Sequence, residues 1–249
     1  MAPARNRFMR LTLSGLALAA VVLSGCASNG DPRDPLEPLN RKVYSFNSTL
    51  DEAILAPTAR AYKDYVPYVF RYSFSSFMSN IDDVWIGANN LLQGQPGQAV
   101  HDWTRVLLNT TFGFFGLSDP ASEMGFPKQR EDFGQTLGVW GLPTGPYIVL
   151  PLFGPSSVRG TTGLVVDSVV DPLDQVIFDD GTRLGATALG VVDFRAGLLG
   201  ASNILKGAAL DEYSFVRDGY LQRRRNMVYD GDPPFDDEDD EPLPTYSDD

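Results

Sequence analysis

The chain has one cysteine and one histidine in 249 residues. A single cysteine excludes an intramolecular disulfide and any cage built from several thiolates. A single histidine leaves His101 to carry all Ser-His-Asp chemistry, His-ligated zinc or imidazole acid–base work. Bases are also scarce: 20 Lys and Arg stand against 32 Asp and Glu, for a net charge of −12. A surface with that balance does not collect nucleic-acid phosphates, so no nucleic-acid partner is expected. Gly-x-Ser-x-Gly elbows, Walker loops, His-Glu-x-x-His and dinucleotide fingerprints are all missing from the sequence. These absences argue against an enzyme and against a cofactor or metal.

The groups that could still carry chemistry have plainer readings. His101 sits beside Asp102, but neighbours in sequence do not face one another on a helix, and no nucleophile is in view. Asp167, Asp171 and Asp174 could share one helix face and hold a hard cation. Pro172 interrupts that set, and a solvated or capping face is the better reading. Arg223, Arg224 and Arg225 could grip a lipid phosphate, or pair with the acids that follow them. Asp230-Gly231-Asp232 lacks the spacing of a calcium loop, because Pro233 and Pro234 follow directly.

What is present is unevenly distributed. Arg5, Arg7 and Arg10 precede an apolar run at residues 11–23. That run is too short to cross a bilayer as a helix and matches the core of a secretory signal. Leu23-Ser24-Gly25-Cys26 follows, so the chain's one cysteine stands where a bacterial lipobox places its acylated residue. Residues 1–25 read as a lipoprotein signal peptide and 26–35 as a lipidated tether. The nine residues after the cysteine, 27–35, reach about 30 Å at most. No Asp follows Cys26, which favours the outer membrane. At the other end, residues 230–249 hold ten acids and no base and read as a solvated, disordered tail. Without the +3 signal and the −10 tail, residues 26–229 carry only −5.

The body, residues 36–229, has helical periodicity. Val43, Phe46, Leu50 and Ile54 predict a helix over 40–55, ended by Pro57. A second is predicted at 58–66, a third over 75–92, and a fourth over 98–110 with Ala99, Trp103, Val106 and Leu107 on one stripe and Asp102 and Arg105 opposite. A last one covers 211–228, while the Val-rich stretches at 163–170 and 187–199 fit helix or strand. Residues 113–163 differ: ten glycines and six prolines punctuate apolar patches. Those patches are either core crossed by turns or lipid-facing surface of a protein embedded from one side. On the second reading Trp85, Trp103, Phe112, Phe114 and Phe115 would sit at the membrane interface, because aromatic rings favour that zone.

A set of segments resembles the MlaA (VacJ) family of outer-membrane lipoproteins. They are Asp34-Pro35-Leu36-Glu37-Pro38-Leu39-Asn40-Arg41, Tyr44-Ser45-Phe46-Asn47, Tyr65-Val66-Pro67 and Asn89-Asn90-Leu91-Leu92-Gln93-Gly94. Arg105-Val106-Leu107-Leu108-Asn109-Thr110 and Glu131-Asp132-Phe133-Gly134-Gln135-Thr136-Leu137-Gly138 follow. The most specific runs from Gly145-Pro146-Tyr147 through Leu150-Pro151-Leu152-Phe153-Gly154-Pro155-Ser156, and a late segment spans 213–225.

The resemblance implies an all-α, mostly helical domain with a Gly/Pro-rich hairpin, shaped as a ring lying in the membrane from the periplasmic side. It implies an amphipathic channel that takes mislocalised phospholipid from the outer leaflet to a soluble periplasmic carrier (MlaC-like), in association with an outer-membrane porin trimer. A lipoprotein that braces porins or the envelope is the alternative, and a lipid hydrolase resting on His101 a third. Channel gating maps onto Phe46 and Asn47, and onto a hairpin from Gly141 through Pro143, Gly145 and Pro146 to Tyr147. Pro143 stands where some relatives have glycine, which stiffens this loop. Arg159-Gly160 departs from an Arg-Asp pair common at that place, and no role follows for it.

Overall fold

Folded structure precedes the expected start at Leu36, since Asp34 is buried and Arg33 O accepts from Tyr147 N; Leu36 caps the first helix, where Pro38 in the first turn needs no amide partner and Glu37 favours the positive helix end. A computed structural model describes residues 31–177 and 179–234. The signal segment, Cys26 and its tether up to residue 30, and the tail from residue 235 lie outside the described residues.

Helix α1, Glu37–Leu50, does not stop at Pro57 as the proline predicts. It widens into a π-helical turn at Asp51–Leu55 and resumes as α2, Ala56–Tyr65. The Ala56 amide bonds the Asp51 carbonyl, five residues back. That wider register puts Pro57 in a first turn, where its missing N–H costs little. Pro67 does break the chain, with Val66 held extended before it. Helix α3, Tyr68–Leu92, therefore starts seven residues earlier than its apolar rhythm indicates. A short turn with Gly94 at φ +79° folds it back on α4, Pro96–Thr111.

The Gly/Pro-rich middle contains short elements, each capped by an acid or a serine. Asp119 caps α5, Pro120–Glu123, and Asp132 caps α6, Phe133–Val139. Strands β1, Tyr147–Leu150, and β2, Gly154–Ser157, form one antiparallel hairpin with Tyr147 opposite Ser157 and Leu150 opposite Gly154. Ser157 then caps α7, Val158–Val170. The short α8, Leu173–Val176, leads to α9, Asp180–Ala208, and α10, Glu212–Val228, closes the described chain. Both ambiguous Val-rich stretches are helical, and the mostly helical reading with a hairpin holds. The expected hairpin at 141–147 is displaced: pairing starts only at Tyr147, because Pro143 and Pro146 cannot donate to a ladder.

The inside of the protein is polar. Among its largest fully buried side chains are Arg105, Gln135, Asn40, Asn89, Asn90, Asn109, Asp34, Asp83 and Asp102. The outside is rich in large apolar groups, including Phe70, Leu107, Phe114, Phe115, Leu152, Phe153, Val169 and Leu184. Helix α4 makes the inversion explicit. Asp102, Arg105 and Asn109 join Ala99 on the inner face, while Trp103 and Leu107 point out, so the side opposite the apolar stripe is the buried one. The α3–α4 contact is bonded accordingly. Arg105 Nε donates to Asp83 Oδ2 at 3.1 Å, and Asn90 Nδ2 to Asp102 Oδ2 at 2.7 Å.

Candidate functional site

Three cavities lie between these elements. The first, about 680 Å³, sits among α3, the 128–132 segment, α7 and α9. Phe74, Met78, Ile86, Leu164 and Phe194 give it an apolar wall, and Asp82, Lys128, Arg130, Glu131, Asp132 and Asp167 give it an ionisable one. A smaller cavity of about 180 Å³ shares Asp132, Leu164 and Asp167 with it and reaches Leu150 and Phe153 at the hairpin turn. The third, about 910 Å³, lies beneath the 141–146 loop, between Arg33, Arg159 and α10.

Local folding aims the polar wall inward. Asp132 is the α6 cap, and Arg224 of α10 grips it from the other side, with Nη2 donating to Oδ1 at 2.9 Å. Burial pushes the Asp132 carboxyl up, but the bonded guanidinium overrides it and holds the group ionised. Glu131 has no such cation. Burial raises its pKa to about 7, although Gln93 Nε2 donates to it at 3.0 Å. Asp82 opens on the same cavity with its residue exposed there, and the protein packed around it lifts its carboxyl against the pull of Lys128. Lys128 itself is spent on Ser79 O at 2.7 Å and Asp83 Oδ1 at 2.6 Å. The result is a cavity with Glu131 and Asp82 pushed toward their neutral forms, Asp132 held ionised, and an opposite wall of hydrocarbon.

The residues singled out from sequence separate into groups. Trp85 turns inward, donating from Nε1 to Asp167 Oδ1 at 2.7 Å, and lines the first cavity instead of the outer rim. Trp103, Phe112, Phe114 and Phe115 are on the outside. Phe114 and Phe115 adopt φ of +52° and +60° at a loop tip, a backbone that bulky residues rarely take. Gly116 at φ +87° supports that tip, because a Cβ there would lie 2.7 Å from Asn80 Nδ2.

Phe46 faces out, whereas Asn47 clasps the hairpin, donating to Leu150 O and accepting from Leu152 N, both at 2.9 Å. Asn40, seven residues earlier, donates to Tyr147 O at 3.0 Å and accepts from Val149 N at 2.9 Å. Seven helical residues rise about 10.5 Å and three strand residues about 10 Å, so the two amides pin both ends of β1 in register. Gly141, Pro143, Gly145 and Pro146 line the third cavity. Tyr147 is fully buried against Tyr213 and Tyr220 and is the fixed end of that loop.

Asp167, Asp171 and Asp174 do not converge. Asp167 accepts from Trp85 and from Phe133 N, Asp171 caps Leu173 N, and Asp174 pairs with Arg183. No group of acids, histidines or cysteines suited to a metal occurs among the described residues. His101 bonds Asp102 and packs on Phe126. Of the Arg223–Arg225 run, Arg224 holds Asp132 and Arg225 donates to Pro234 O. Sequence reasoning missed Asp82, Lys128, Arg130 and Glu131 as lining groups. Their signal was the Glu131-Asp132 pair directly before a helix, read for its resemblance and not for its chemistry.

The chain matches the MlaA lipoprotein family over residues 32–227. It is 37% identical over 233 residues to the intermembrane phospholipid transport system lipoprotein MlaA of Shigella flexneri, covering 90% of this chain and 91% of the relative. The protein of the same name from Escherichia coli (strain K12) gives the same identity and coverage. That from Haemophilus influenzae is 34% identical over 88% of this chain and 91% of its own. A solved chain from work on the structural basis for maintenance of bacterial outer membrane lipid asymmetry superposes with a TM-score of 0.70. It is 33% identical and covers 78% of this chain and 98% of that one.

Proposed function

The chain belongs to the MlaA lipoprotein family, and we propose that it is an outer-membrane phospholipid transporter that keeps the two leaflets of that membrane asymmetric. The observation that carries this reading is the reversed partition: apolar groups cover the outside, and an amphipathic cavity lies within a polar interior. An apolar exterior is stable in hydrocarbon and aggregates in water. A cavity with one hydrocarbon wall and one ionisable wall suits a molecule with tails and a charged head. Helix α9 adds an apolar face, for residues Asp180–Ser202 are long and apolar enough to cross a membrane and are mostly unburied.

In this reading Cys26 carries the acyl anchor, and the domain lies in the periplasmic leaflet as a ring around the cavity. Trp103, Phe112, Phe114 and Phe115 meet lipid. Phospholipid leaves the outer leaflet through the cavity and passes to a soluble periplasmic carrier, with a porin trimer alongside. The 141–146 loop and the Phe46–Asn47 step regulate passage, because the Asn47 bonds tie α1 to the hairpin that follows the loop. Pro143→Gly frees the loop and is expected to raise the lipid transfer rate a few-fold, measured from labelled vesicles to an acceptor. An unchanged rate counts against the loop as a gate.

The direct test is deletion in a host without a paralogue. Outer-leaflet phospholipid should rise, and the chain supplied in trans should restore it. Unchanged leaflet composition would sink the transport reading. Loss of porin assembly with transfer intact would favour a bracing role.

A further inference from the structure

Arg159 is a buried cation without a carboxylate. Its residue is 6% exposed, and none of its nitrogens pairs with an acid among the described residues. Nη1 donates to Leu142 O at 2.9 Å, and Nε has no hydrogen-bond partner among the described residues. Asp132 acts on it through space but is already held by Arg224. Burial and the Arg224 cation both disfavour its charge, yet a guanidinium stays protonated. A charge in that position is stabilised further when an anion reaches it.

The space for an anion is present. Arg159 lines the cavity of about 910 Å³ under the 141–146 loop, with Arg33 and Arg225 also lining it. Arg33 is paired with Asp31 and with Asp218, which also lines the cavity, and Arg225 donates to Pro234 O, whereas Arg159 has no carboxylate partner among the described residues. Gly138 of α6 makes the approach possible. A Cβ there would lie 2.9 Å from Arg159 Nη1 and 3.0 Å from Cζ, so only glycine lets the guanidinium lie against the helix backbone.

We propose that Arg159, with the 141–146 loop above it, binds the phosphate of a phospholipid head group. This rests on the transport reading and puts the head-group site in a cavity other than the amphipathic one of about 680 Å³. With Nη1 on Leu142 O and Nε buried, Nη2 is the nitrogen left to donate a charge-assisted hydrogen bond to a phosphate oxygen. The same side chain holds the loop. Nη1 bonds Leu142 O, and the Arg159 amide bonds Thr144 O at 3.2 Å. A phosphate that draws on this guanidinium therefore also acts on the segment covering the cavity.

The test uses the full-length lipoprotein in a non-ionic detergent. Dihexanoylphosphatidylethanolamine, dihexanoylglycerol and inorganic phosphate are each titrated by calorimetry. Lipid transfer from vesicles is measured on the same samples. The short-chain phospholipid should bind saturably, and Arg159→Gln, which keeps a donor for Leu142 O, should weaken it at least about tenfold. Arg159→Lys keeps the charge without the guanidinium fork and should fall between; it decides the matter if the Gln variant does not fold. Equal binding by folded variants overturns the proposal, as does equally tight binding of dihexanoylglycerol. Inorganic phosphate binding with the full Arg159 dependence overturns the lipid assignment in favour of a free-anion site. A wild-type protein that transfers no lipid sinks the transport reading itself, a result distinct from any of these.

Discussion

Asn40 shows how much one side chain can do in a polar interior. Its amide bonds Asp34 Oδ1 at 2.8 Å, Tyr147 O and Val149 N, all buried. Asn40→Ala leaves a carboxylate, a carbonyl and an N–H without that partner, so a loss of about 3 kcal/mol in unfolding free energy is expected. The half-buried Asn47 should cost only about 1 kcal/mol, because water replaces its bonds. Denaturation of both variants in one detergent checks the ratio. Glu131 gives a pH signature. Its folded pKa, raised to about 7 from 4.5, means that the folded state binds a proton the unfolded state has released. Stability from this group is full below about 4.5 and is lost as pH rises through 7. Asp82, raised to about 6, acts with the same sign. The unfolding temperature should therefore fall between pH 5 and pH 8, and Glu131→Gln should flatten that slope. Identical slopes for the two proteins would show that Glu131 does not ionise in this window.

At the scale of elements, the sequence made the helices legible because periods of three and four survive in any solvent. It made their orientation illegible for a physical reason. Apolar periodicity marks a stripe but does not say whether the stripe meets a core or a bilayer. Helix α4 shows the point: its stripe of Trp103 and Leu107 is outside, and Asp102, Arg105 and Asn109 are inside. Prolines were read correctly at Pro67 and incorrectly at Pro57, where the π turn of Asp51–Leu55 absorbs the missing donor. The cavity escaped sequence reading because Asp82, Glu131 and Asp167 come from three separated segments. The α3–α4 pair supplies a prediction of its own. Arg105 bonds Asp83, Asp119 and Ser122 while almost fully buried. Arg105→Ala strands the Asp83 and Asp119 carboxylates and should cost about 3–5 kcal/mol. Lys128 still reaches Asp83, so the lower end of that range is expected. Calorimetric unfolding measures it, and a loss below about 1 kcal/mol would mean that water enters the α3–α4 seam.

The whole molecule has two ways to stay in a membrane, and they can be separated. In the proposed reading Cys26 supplies acyl chains, each adding about 0.8 kcal/mol per buried CH₂. The folded domain supplies an apolar exterior, with Phe114 and Phe115 projecting from a loop tip at 79% and 78% exposure. Full burial of a phenylalanine is worth about 1.5–3 kcal/mol, so the tip alone contributes about 3–6 kcal/mol if it enters hydrocarbon. Unlipidated protein made by Cys26→Ser should accordingly still float with phospholipid vesicles once detergent is removed. Replacing both phenylalanines by Asp in that background removes their burial energy and adds two charges, and vesicle partition should fall about 100-fold or more. The loop geometry does not depend on the rings: Asn109 O and Thr110 O hold the Gly116 and Phe115 amides, so the doubly substituted chain should keep its unfolding temperature in detergent. That combination, unchanged fold and lost flotation, is the signature of a lipid-facing exterior. Monomeric, detergent-free solubility of the Cys26→Ser protein would refute it. The apolar groups on the outside would then have to be covered by another protein surface, and the acyl chains alone would account for membrane attachment.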